Sequence, residues 1–545
     1  MLRWFFCFYF RKKEKKSYLC TDFFIVLLSF MQKLPISIQT FKALREKNLL
    51  YVDKTSYIHE IMDAGGAFFL ARPRRFGKSL FLSTLMELAE GNRSLFEGTW
   101  IADKWDWSRK YPVLHLEFAS MDFQGLGMAN MLLRELKNYC KKYDIVPESD
   151  SFKQVFKQIL EELSKKHGKI VLLIDEYDKP ILDAIEKYQH KEVTERQEIL
   201  KIFYSVLKDC EPYLHCTFIT GITKFAKVSI FSDLNHLEDI TFDKRFTIAY
   251  GYTQKELEAN FDDYFEAFLE ENKSYNKENL LEKTKEWYNG YSWDGQTSVY
   301  NPYAILHFFQ KKSFATTWFE SGTPTFLVRK VLEQQTFEVE NLAINLADLN
   351  FHSVEAIENI PLMFQAGYLT ITTLDEHENA VLNYPNREVR EGFYRFLLKD
   401  LNVNRSTMLA PIHLLANAFR ENDMKKAERT IQQVFSDLPY DVYTNQSSRQ
   451  VEGFYHGIIH VLFCYLGLYV KSEVHTVRGR ADAVVETDTH IFLFEFKIDK
   501  TSAFALEQIK SKDYAKKYKL ADKNIVCIGV NFDTKTRYMD DWEME

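Results

Sequence analysis

The octapeptide Arg72-Pro73-Arg74-Arg75-Phe76-Gly77-Lys78-Ser79 contains residues whose types and spacing could bind a nucleoside triphosphate. Its second half matches the generic phosphate-binding loop G-x-x-x-x-G-K-[ST]. Backbone N–H groups at the start of a helix carry partial positive charge and can surround phosphate oxygens. We expect the ammonium of Lys78 to reach the β- and γ-phosphates, the hydroxyl of Ser79 to hold Mg²⁺, and Gly77 to let the backbone approach the nucleotide. The residues expected to bind the nucleotide are Arg74, Arg75, Phe76, Gly77, Lys78, Ser79 and Leu80.

One position of this loop departs from the generic pattern. The first glycine of the motif falls on Arg72. Taken alone, the octapeptide could therefore be a basic surface turn that ends in Gly-Lys-Ser. A second motif is needed to decide between the two interpretations.

The second motif is an uninterrupted apolar run, residues 170–174, that ends in Asp175-Glu176. This pattern is typical of a buried parallel strand that delivers carboxylates at its carboxyl end. We expect Asp175 to ligate Mg²⁺ and Glu176 to orient or deprotonate the attacking water, which favours hydrolysis over simple nucleotide binding. Asp178 could share either role, and acidic residues that merely cap a strand are the structural alternative.

Three strands must position these residues. Residues 67–71 are an apolar run before the loop, and a helix-like apolar face follows Ser79. A third strand candidate, residues 216–220, ends where Thr220 or Lys224 could sense the γ-phosphate, with a plain strand-to-loop transition as the alternative. The sequence therefore predicts an α/β fold of the P-loop NTPase type, a parallel sheet flanked by helices, with ATP and Mg²⁺ as ligands.

A second group of charged residues lies near the carboxyl terminus. Residues 480–486 and 491–497 have the pattern of two strands joined by a four-residue loop. If Glu486 pairs with Ile491, Asp482 lies opposite Glu495, and Lys497 shares the face of Glu495. Two carboxylates and an ammonium suit metal-dependent phosphodiester cleavage, in which the acids hold Mg²⁺ and the lysine positions or activates water. A purely structural cross-strand pair is the alternative.

One further carboxylate is expected to complete this second metal site. Residues 450–466 have the pattern of an amphipathic helix, which carries Glu452. The predicted catalytic residues of the whole chain are Lys78, Glu176, Asp482, Glu495 and Lys497. The predicted metal ligands are Ser79, Asp175, Glu452, Asp482 and Glu495.

Length and composition limit the class of protein. A chain of 545 residues is too long for one hydrophobic core, so about two to four domains are expected. With 46% apolar and 27% charged residues the chain is not disordered, and a net charge of −7 means that any nucleic-acid contact must rest on a local basic patch. The seven cysteines form no C-x-x-C pair, which favours a reducing cytoplasm.

The first thirty residues differ from the rest of the chain. Their basic and apolar runs are too short to span a bilayer, so no membrane association is expected. We hypothesise that translation starts at Met31 and that residues 1–30 are an untranslated leader. The predicted organisation is then a P-loop domain at 31–250, a helical lid and connector at 251–440 and a nuclease-like domain at 441–545. Aromatic residues 287–293 could stack on a base, although packing between helices is favoured.

Residues from Met31 to about Phe246 resemble the bacterial AAA-ATPase-like family. The matching segments are Leu34-Pro35-Ile36, Tyr51-Val52-Asp53-Lys54-Thr55, the octapeptide at 72–79 and Leu173-Ile174-Asp175-Glu176-Tyr177-Asp178-Lys179-Pro180. Arg72 belongs to that family's own pattern. Residues from about Asp441 to Phe532 resemble the PD-(D/E)XK nuclease superfamily, an α/β domain. The matching positions are Glu452, Gly479-Arg480-Ala481-Asp482, Glu495-Phe496-Lys497, Gln508 and Tyr514.

The resemblance implies two folds and their catalytic positions but supplies no substrate. Our main hypothesis is an ATP-hydrolysing P-loop domain that drives or licenses a Mg²⁺-dependent nuclease-like domain acting on DNA, with RNA as an alternative. Two other hypotheses stay open: an ATP-driven switch that binds nucleic acid or a protein without cleavage, and a signalling NTPase whose second site is structural. An arginine finger could come from a second copy of the chain, so a homo-oligomer also stays open.

Overall fold

The computed structural model describes residues 31–545 except 124, 188–189, 225–230, 232–233, 235, 323–326, 328–329, 332–338, 351–357, 401–408, 437–447, 468–470, 475–481, 520–521, 534–535 and 537–538. Contacts divide the chain into two compact units. Unit 1 contains the chain up to Ile181 together with Thr194–Ala315, and unit 2 contains Leu182–Val193 together with Thr316–Glu545.

Unit 1 is built on a five-stranded parallel sheet. Its strands are β1 (Gly66–Ala71), β2 (Val113–Glu117), β3 (Ile170–Asp175), β4 (Leu214–Gly221) and β5 (Leu237–Asp239). Their order is β2-β3-β4-β1-β5. Every residue of β3 is buried because helices cover both faces of such a sheet. The predicted parallel sheet is confirmed, and β1 and β3 place the loop and the acidic pair at the same edge.

Helices flank this sheet. The helices that begin before residue 315 are α1 (Phe41–Glu46), α2 (Thr55–Ala64), α3 (Lys78–Ala89), α4 (Met128–Lys142), α5 (Phe152–His167), α6 (Lys179–Glu186), α7 (His190–Asp209), α8 (Gln254–Glu271), α9 (Lys277–Tyr288) and α10 (Pro302–Lys311). Of these, α3 and α5 pack on β3. The first turn of α8 is fixed by a capping box, in which Thr253 and Glu256 bond each other's backbone N–H groups. Glu256 also forms an ion pair with the buried ammonium of Lys54, at 2.6 Å, so α8 is tied to the segment before α2.

Unit 2 begins with helices and a small antiparallel sheet. Its helices are α11 (Thr317–Gly322), α12 (Asn359–Ala366), α13 (Arg387–Asp400), α14 (Leu409–Arg420), α15 (Met424–Ser436), α16 (Ser448–Leu466) and α17 (Ser502–Ser511). The sheet consists of β6 (Leu342–Asn345), β7 (Thr370–Leu374) and β8 (Asn379–Asn383), in the order β6-β8-β7. The helical prediction for residues 251–440 did not include these strands. No helix in the described ranges is both long and apolar enough to cross a bilayer.

The carboxyl-terminal part of unit 2 is a mixed sheet with a helix on it. Its strands are β9 (Lys471–Val474), β10 (Ala483–Glu486), β11 (His490–Ile498), β12 (Asn524–Phe532) and β13 (Met539–Met544), in the order β13-β12-β11-β10-β9. Helix α17 connects β11 to its parallel neighbour β12. Gly529 of β12 lets α17 pack close to the sheet, because a Cβ at residue 529 would lie 2.2 Å from the carbonyl oxygen of Ser502. Leu506 and Ile509 of α17 pack on Leu493 of β11.

Candidate functional site

The phosphate loop, residues 72–77, connects the end of β1 to the start of α3. Gly77 has φ +89°, a left-handed conformation that glycine adopts without strain, and a Cβ at this position would meet no atom within 4 Å. The requirement for glycine is therefore conformational. Arg75 has φ +67°, which is strained for a residue with a side chain. The strand-loop-helix arrangement predicted from the sequence is thus present.

Arg72 anchors the beginning of the phosphate loop. Its guanidinium is buried and donates hydrogen bonds to the carbonyl oxygens of Thr241, at 3.0 Å, and Phe246, at 3.2 Å. It also donates a hydrogen bond to the carbonyl oxygen of the preceding residue, Ala71, at 2.8 Å. Burial lowers the pKa of Arg72 to about 9. Where the generic loop has a flexible glycine, this chain has a side chain that fastens the loop to the segment after β5.

Aromatic rings support the other side of the phosphate loop. The Arg72 guanidinium lies 3.9 Å from the ring centroid of Trp293, and Phe76 packs edge-on against Tyr291 and Trp293. The guanidinium of Arg75 lies 5.0 Å from the ring centroid of Tyr303. The aromatic residues at 291–293 therefore pack on the loop, which the sequence did not indicate. The side chain of Phe76 is buried in this contact, whereas that of Arg75 is exposed. Nucleotide binding by both residues stays a prediction.

The first half of the same aromatic segment packs as the sequence favoured. Tyr288 of α9 contacts Phe308 of α10, with ring centroids 5.7 Å apart, and Trp287 contacts Phe314 at 5.6 Å. Both α9 rings are buried. These contacts join α9 to α10. Residues 291–293 lie in the segment that connects the two helices.

Lys78 and Ser79 meet the acidic end of β3. The ammonium of Lys78 is buried and donates to the carbonyl oxygens of Arg72, at 3.0 Å, and Pro73, at 2.9 Å. Burial lowers the pKa of Lys78, and the charges of Glu176 and Asp175 oppose this change. The Ser79 hydroxyl donates to Oδ2 of Asp175 at 2.6 Å. The two motifs that lie far apart in sequence are therefore in direct contact.

The oxygen atoms at this edge fit a magnesium ion. Burial raises the pKa of Asp175 to about 6, although the Ser79 hydroxyl and Lys78 act in the opposite direction. The second carboxylate oxygen of Asp175, Oδ1, is buried and has no hydrogen-bond partner among the described residues. Mg²⁺ usually takes one or two protein carboxylates and fills its remaining positions with water and phosphate. Asp175 would supply one carboxylate ligand and Ser79 a hydroxyl ligand.

Glu176 follows Asp175 in a strained backbone conformation. Its φ is +51°, and its side chain is half-buried. Glu117 lies at the end of the neighbouring strand β2, which pairs Glu117 with Asp175. Burial and the charge of Glu176 both raise the pKa of Glu117. Glu117 is a member of this edge that was not predicted from the sequence. The available signal was the strand-like run Val113-Leu114-His115-Leu116 before it.

The other polar residues considered at this edge have structural partners. Asp178 accepts hydrogen bonds from the backbone N–H groups of Ile222 and Thr223 and from the Thr223 hydroxyl, the last at 2.6 Å. Thr220 donates to the carbonyl oxygen of Leu70 at 2.8 Å, and Lys224 forms an ion pair with Asp239 at 2.8 Å. Asp178 therefore ties the end of β3 to the end of β4. Arg74 and Leu80 are both partly exposed beside Lys78 and Ser79.

The second site lies on the hairpin of β10 and β11. The observed pairing sets Glu486 opposite Ile491, as predicted. Oδ2 of Asp482 accepts a hydrogen bond from the backbone N–H of Phe496 at 2.8 Å. Lys497 contacts Oε1 of Glu495 at 2.7 Å, and Gln508 of α17 donates to the same oxygen. The structure thus brings together Asp482, Glu495 and Lys497 in the expected register.

Burial controls the charge of this carboxylate pair. It raises the pKa of Asp482, and burial together with Asp482 raises the pKa of Glu495. Glu495 is only 1% exposed, and its Oε2 has no hydrogen-bond partner in the described part of the chain. A buried, unpaired carboxylate oxygen beside a second carboxylate is a fitting environment for a divalent cation.

The metal ligands proposed from the sequence are only partly described. Glu452 lies on α16, but its side chain falls outside the described residues, so its role stays a prediction. Within the described side chains, no group of three or more histidine, cysteine, aspartate or glutamate residues gathers as a metal cluster. Each site therefore offers two neighbouring oxygen-bearing side chains, namely Ser79 with Asp175 and Asp482 with Glu495.

Comparison with known proteins finds a family match for each of the two domains. Residues 35–231 match the family described as "Predicted AAA-ATPase", and residues 450–542 match the "PD-(D/E)XK nuclease superfamily". A relative from Azotobacter chroococcum mcd 1, described as "Uncharacterized protein in vnfD 5'region", is 36% identical over 521 residues. The alignment covers 93% of this chain and 97% of that relative.

Two solved structures show weaker similarity. The ORC1 protein of Aeropyrum pernix, solved in complex with DNA, is 9% identical and has a TM-score of 0.25, with 64% of this chain and 91% of that chain covered. A signal transduction ATPase (STAND) protein with a tetratricopeptide repeat sensor, from Pyrococcus horikoshii, is 11% identical and has a TM-score of 0.24, with 77% and 59% covered. Scores this low do not establish a common fold. The two family matches and the nearly full-length relative show that this chain belongs to the predicted AAA-ATPase family and ends in a PD-(D/E)XK nuclease superfamily domain.

Proposed function

We propose that unit 1 binds and hydrolyses ATP. The observation that supports this most directly is the 2.6 Å contact between the Ser79 hydroxyl and the Asp175 carboxylate, beside the buried ammonium of Lys78. A hydroxyl after the phosphate loop and a carboxylate at the end of a neighbouring strand are the protein ligands that a magnesium nucleotide uses in P-loop NTPases.

Each residue of this site has a distinct task. Lys78 exchanges its two loop carbonyl oxygens for the oxygens of the β- and γ-phosphates. Ser79 and Asp175 hold Mg²⁺, which neutralises charge on the phosphate oxygens. Glu176 orients the attacking water and accepts its proton, since it lies beside Asp175 and its charge acts on Lys78.

We further propose that unit 2 cleaves DNA phosphodiester bonds in a Mg²⁺-dependent reaction. Asp482 and Glu495 hold the metal, and Lys497 positions the water and offsets negative charge that develops on the phosphate. Gln508 orients Glu495 through its hydrogen bond to Oε1. The buried Oε2 of Glu495, which lacks a hydrogen-bond partner within the described residues, favours this role over a purely structural ion pair.

A paired assay on the full-length protein tests both proposals. ATP hydrolysis and cleavage of plasmid and oligonucleotide DNA are measured with Mg²⁺ for the wild type, Lys78→Ala and Asp482→Ala. Lys78→Ala should reduce ATP hydrolysis by at least about a hundredfold. Asp482→Ala should abolish cleavage and leave ATP hydrolysis unchanged.

Matched controls separate these effects from loss of folding. Lys141→Ala changes an exposed lysine on α4, and Asp488→Ala changes an exposed aspartate in the turn of the β10–β11 hairpin. Both controls should retain wild-type rates. ATP turnover that survives Lys78→Ala would contradict the ATPase assignment. DNA binding without cleavage in the wild type would instead favour an ATP-driven switch that recognises nucleic acid.

A further inference from the structure

One edge of α17 runs beside the carboxylate pair. Residues 504 and 508 are four apart in α17 and lie on the same edge of the helix, and Lys512 caps its carboxyl end four residues further on. The middle one, Gln508, touches Glu495. Leu506 and Ile509 are buried against the sheet, and Gln508 lies at the border of this buried face. The two ends of this edge, Phe504 and Lys512, are thus held within one or two helical turns of the proposed metal site.

Phe504 is unusual for its exposure. It is 46% exposed, although a large aromatic side chain next to the apolar core of α17 could have been buried. The ammonium of Lys500 lies 4.6 Å from the centroid of its ring. The backbone N–H of Phe504 is bonded by the capping hydroxyl of Thr501, at 3.1 Å, so its position at the start of α17 is fixed. An exposed ring on a fixed backbone, with a cation beside it, is a platform on which a nucleobase can stack.

Two lysines, Lys500 and Lys512, flank the same edge. Lys512 follows the last turn of α17, where its backbone N–H bonds the carbonyl oxygen of Gln508 at 3.1 Å. Burial raises the pKa values of Asp482 and Glu495, and the charge of Lys512 is close enough to oppose both changes. Lys500 and Lys512 are both exposed. The distance along the helix from residue 504 to residue 512 is about 12 Å, which leaves room for more than one nucleotide.

We propose that the α17 ledge, formed by Lys500, Phe504, Gln508 and Lys512, binds single-stranded DNA and delivers it to the carboxylate pair. Phe504 stacks on one base, and Lys500 and Lys512 contact the flanking phosphates. An exposed ring can be reached by an unpaired base, whereas the bases of a duplex are stacked on one another. The ledge therefore selects single strands over duplexes. This inference rests on the proposed nuclease function and names its substrate class.

Binding measurements test the ledge separately from cleavage. The full-length protein is titrated into short fluorescent single-stranded DNA, the same sequence as a duplex, and the same sequence as RNA. Ca²⁺ replaces Mg²⁺ so that the strands stay intact. The wild type should bind the single-stranded DNA about tenfold more tightly than the duplex. Tighter binding of the duplex, or of the RNA, would overturn the proposal.

Variants of α17 identify the residues responsible. Phe504→Ala should weaken single-strand binding about tenfold, and Phe504→Tyr, which keeps the ring, should restore it to about wild-type strength. Lys512→Ala should weaken binding and lower the slope of log affinity against log salt concentration by about 0.7. Lys510→Ala is the matched control, because Lys510 is exposed on the other side of the same helix and pairs with Glu545. It should change affinity less than twofold, within about 0.4 kcal/mol.

Each result has one interpretation. Equal binding by Phe504→Ala and the wild type would refute the ledge, even if Mg²⁺-dependent cleavage is present. Strong single-strand binding that depends on Phe504, without cleavage by the wild type under Mg²⁺, would support the ledge and refute the nuclease proposal instead.

Discussion

The guanidinium of Arg72 lies over the indole of Trp293, with 3.9 Å between its central carbon and the ring centroid. The same guanidinium bonds the carbonyl oxygens of Thr241 and Phe246. Arg72 thus joins three segments that are distant in sequence at the first position of the phosphate loop. The loop has a fixed base before any nucleotide arrives, which a glycine at this position could not provide.

Restoring the generic glycine should therefore damage the protein. Arg72→Gly leaves buried carbonyl oxygens without donors and removes the contact with Trp293, so we expect the free energy of unfolding to fall by about 3 kcal/mol. Urea denaturation measures this change. Arg75→Gly is the control, because Arg75 is exposed and glycine adopts its φ of +67° without strain. It should change stability by less than about 1 kcal/mol. Equal stability of Arg72→Gly and the wild type would contradict the anchoring role.

Magnesium binding in unit 1 should depend on pH. Metal binding requires ionised Asp175, whose pKa burial raises to about 6. Affinity for Mg²⁺ with ATP should be constant at higher pH and fall about tenfold per unit below that pKa. Calorimetric titration across this range measures the effect, and Asp175→Asn should bind weakly at every pH. A flat profile in the wild type would show that Asp175 is not a ligand.

The contribution of the Asp175 carboxyl to the free energy of unfolding should change with pH in the opposite direction to the affinity for Mg²⁺. The folded-state pKa of Asp175 lies above its usual value, so its favourable contribution is full at low pH and is lost as the pH rises through about 6. Asp175→Asn should accordingly raise the free energy of unfolding of the metal-free protein at neutral pH. Denaturation at several pH values, with a chelator present, checks the direction.

Mutations of Glu495 and of Lys497 at the second site should change the free energy of unfolding in opposite directions. Glu495→Gln removes a buried charge and keeps the acceptor oxygen that Lys497 and Gln508 contact, so stability at neutral pH should rise. Lys497→Ala leaves the buried carboxylate of Glu495 without its ion-pair partner, so the free energy of unfolding should fall by about 3 kcal/mol. Since burial raises the pKa of Glu495, the advantage of Glu495→Gln should shrink as the pH falls. Destabilisation by both variants would contradict this account.

The ion pair between Lys54 and Glu256 should couple the start of unit 1 to α8. Burial lowers the pKa of Lys54, and Glu256 opposes this change. A double-mutant cycle with Lys54→Met and Glu256→Gln should give a coupling energy of about 1–3 kcal/mol. The exposed pair of Lys157 and Glu161 on α5 is the comparison and should give less than about 0.5 kcal/mol. Equal coupling energies in the two pairs would show that burial of Lys54 does not strengthen its ion pair with Glu256.

Long apolar runs were the part of the fold that the sequence predicted well. β1 and β3 are almost entirely buried, so their residues form nearly continuous apolar runs, and polar or charged residues mark their carboxyl ends. The register of β10 and β11 followed from the length of the loop and the alternation of side chains. These elements place most of the candidate catalytic residues.

Short and half-exposed strands could not be predicted. β5 has three residues, none of them fully buried, and its pairing with β1 depends on a neighbour distant in sequence. β6, β7 and β8 have four or five residues each and alternate exposed with buried positions only in part. The packing of Trp293 on Arg72 was also hidden, because nothing local to either residue specifies the other. Such contacts are set by the tertiary structure.

The hydrogen bonds from Lys78 to its own loop have a consequence for ligand choice. The ammonium has two oxygen partners within its own loop, so an anion that replaces them gains only the difference between the old bonds and the new ones. We therefore expect an anion that contacts more of the loop and the start of α3 to bind more tightly than a single phosphate or sulfate group.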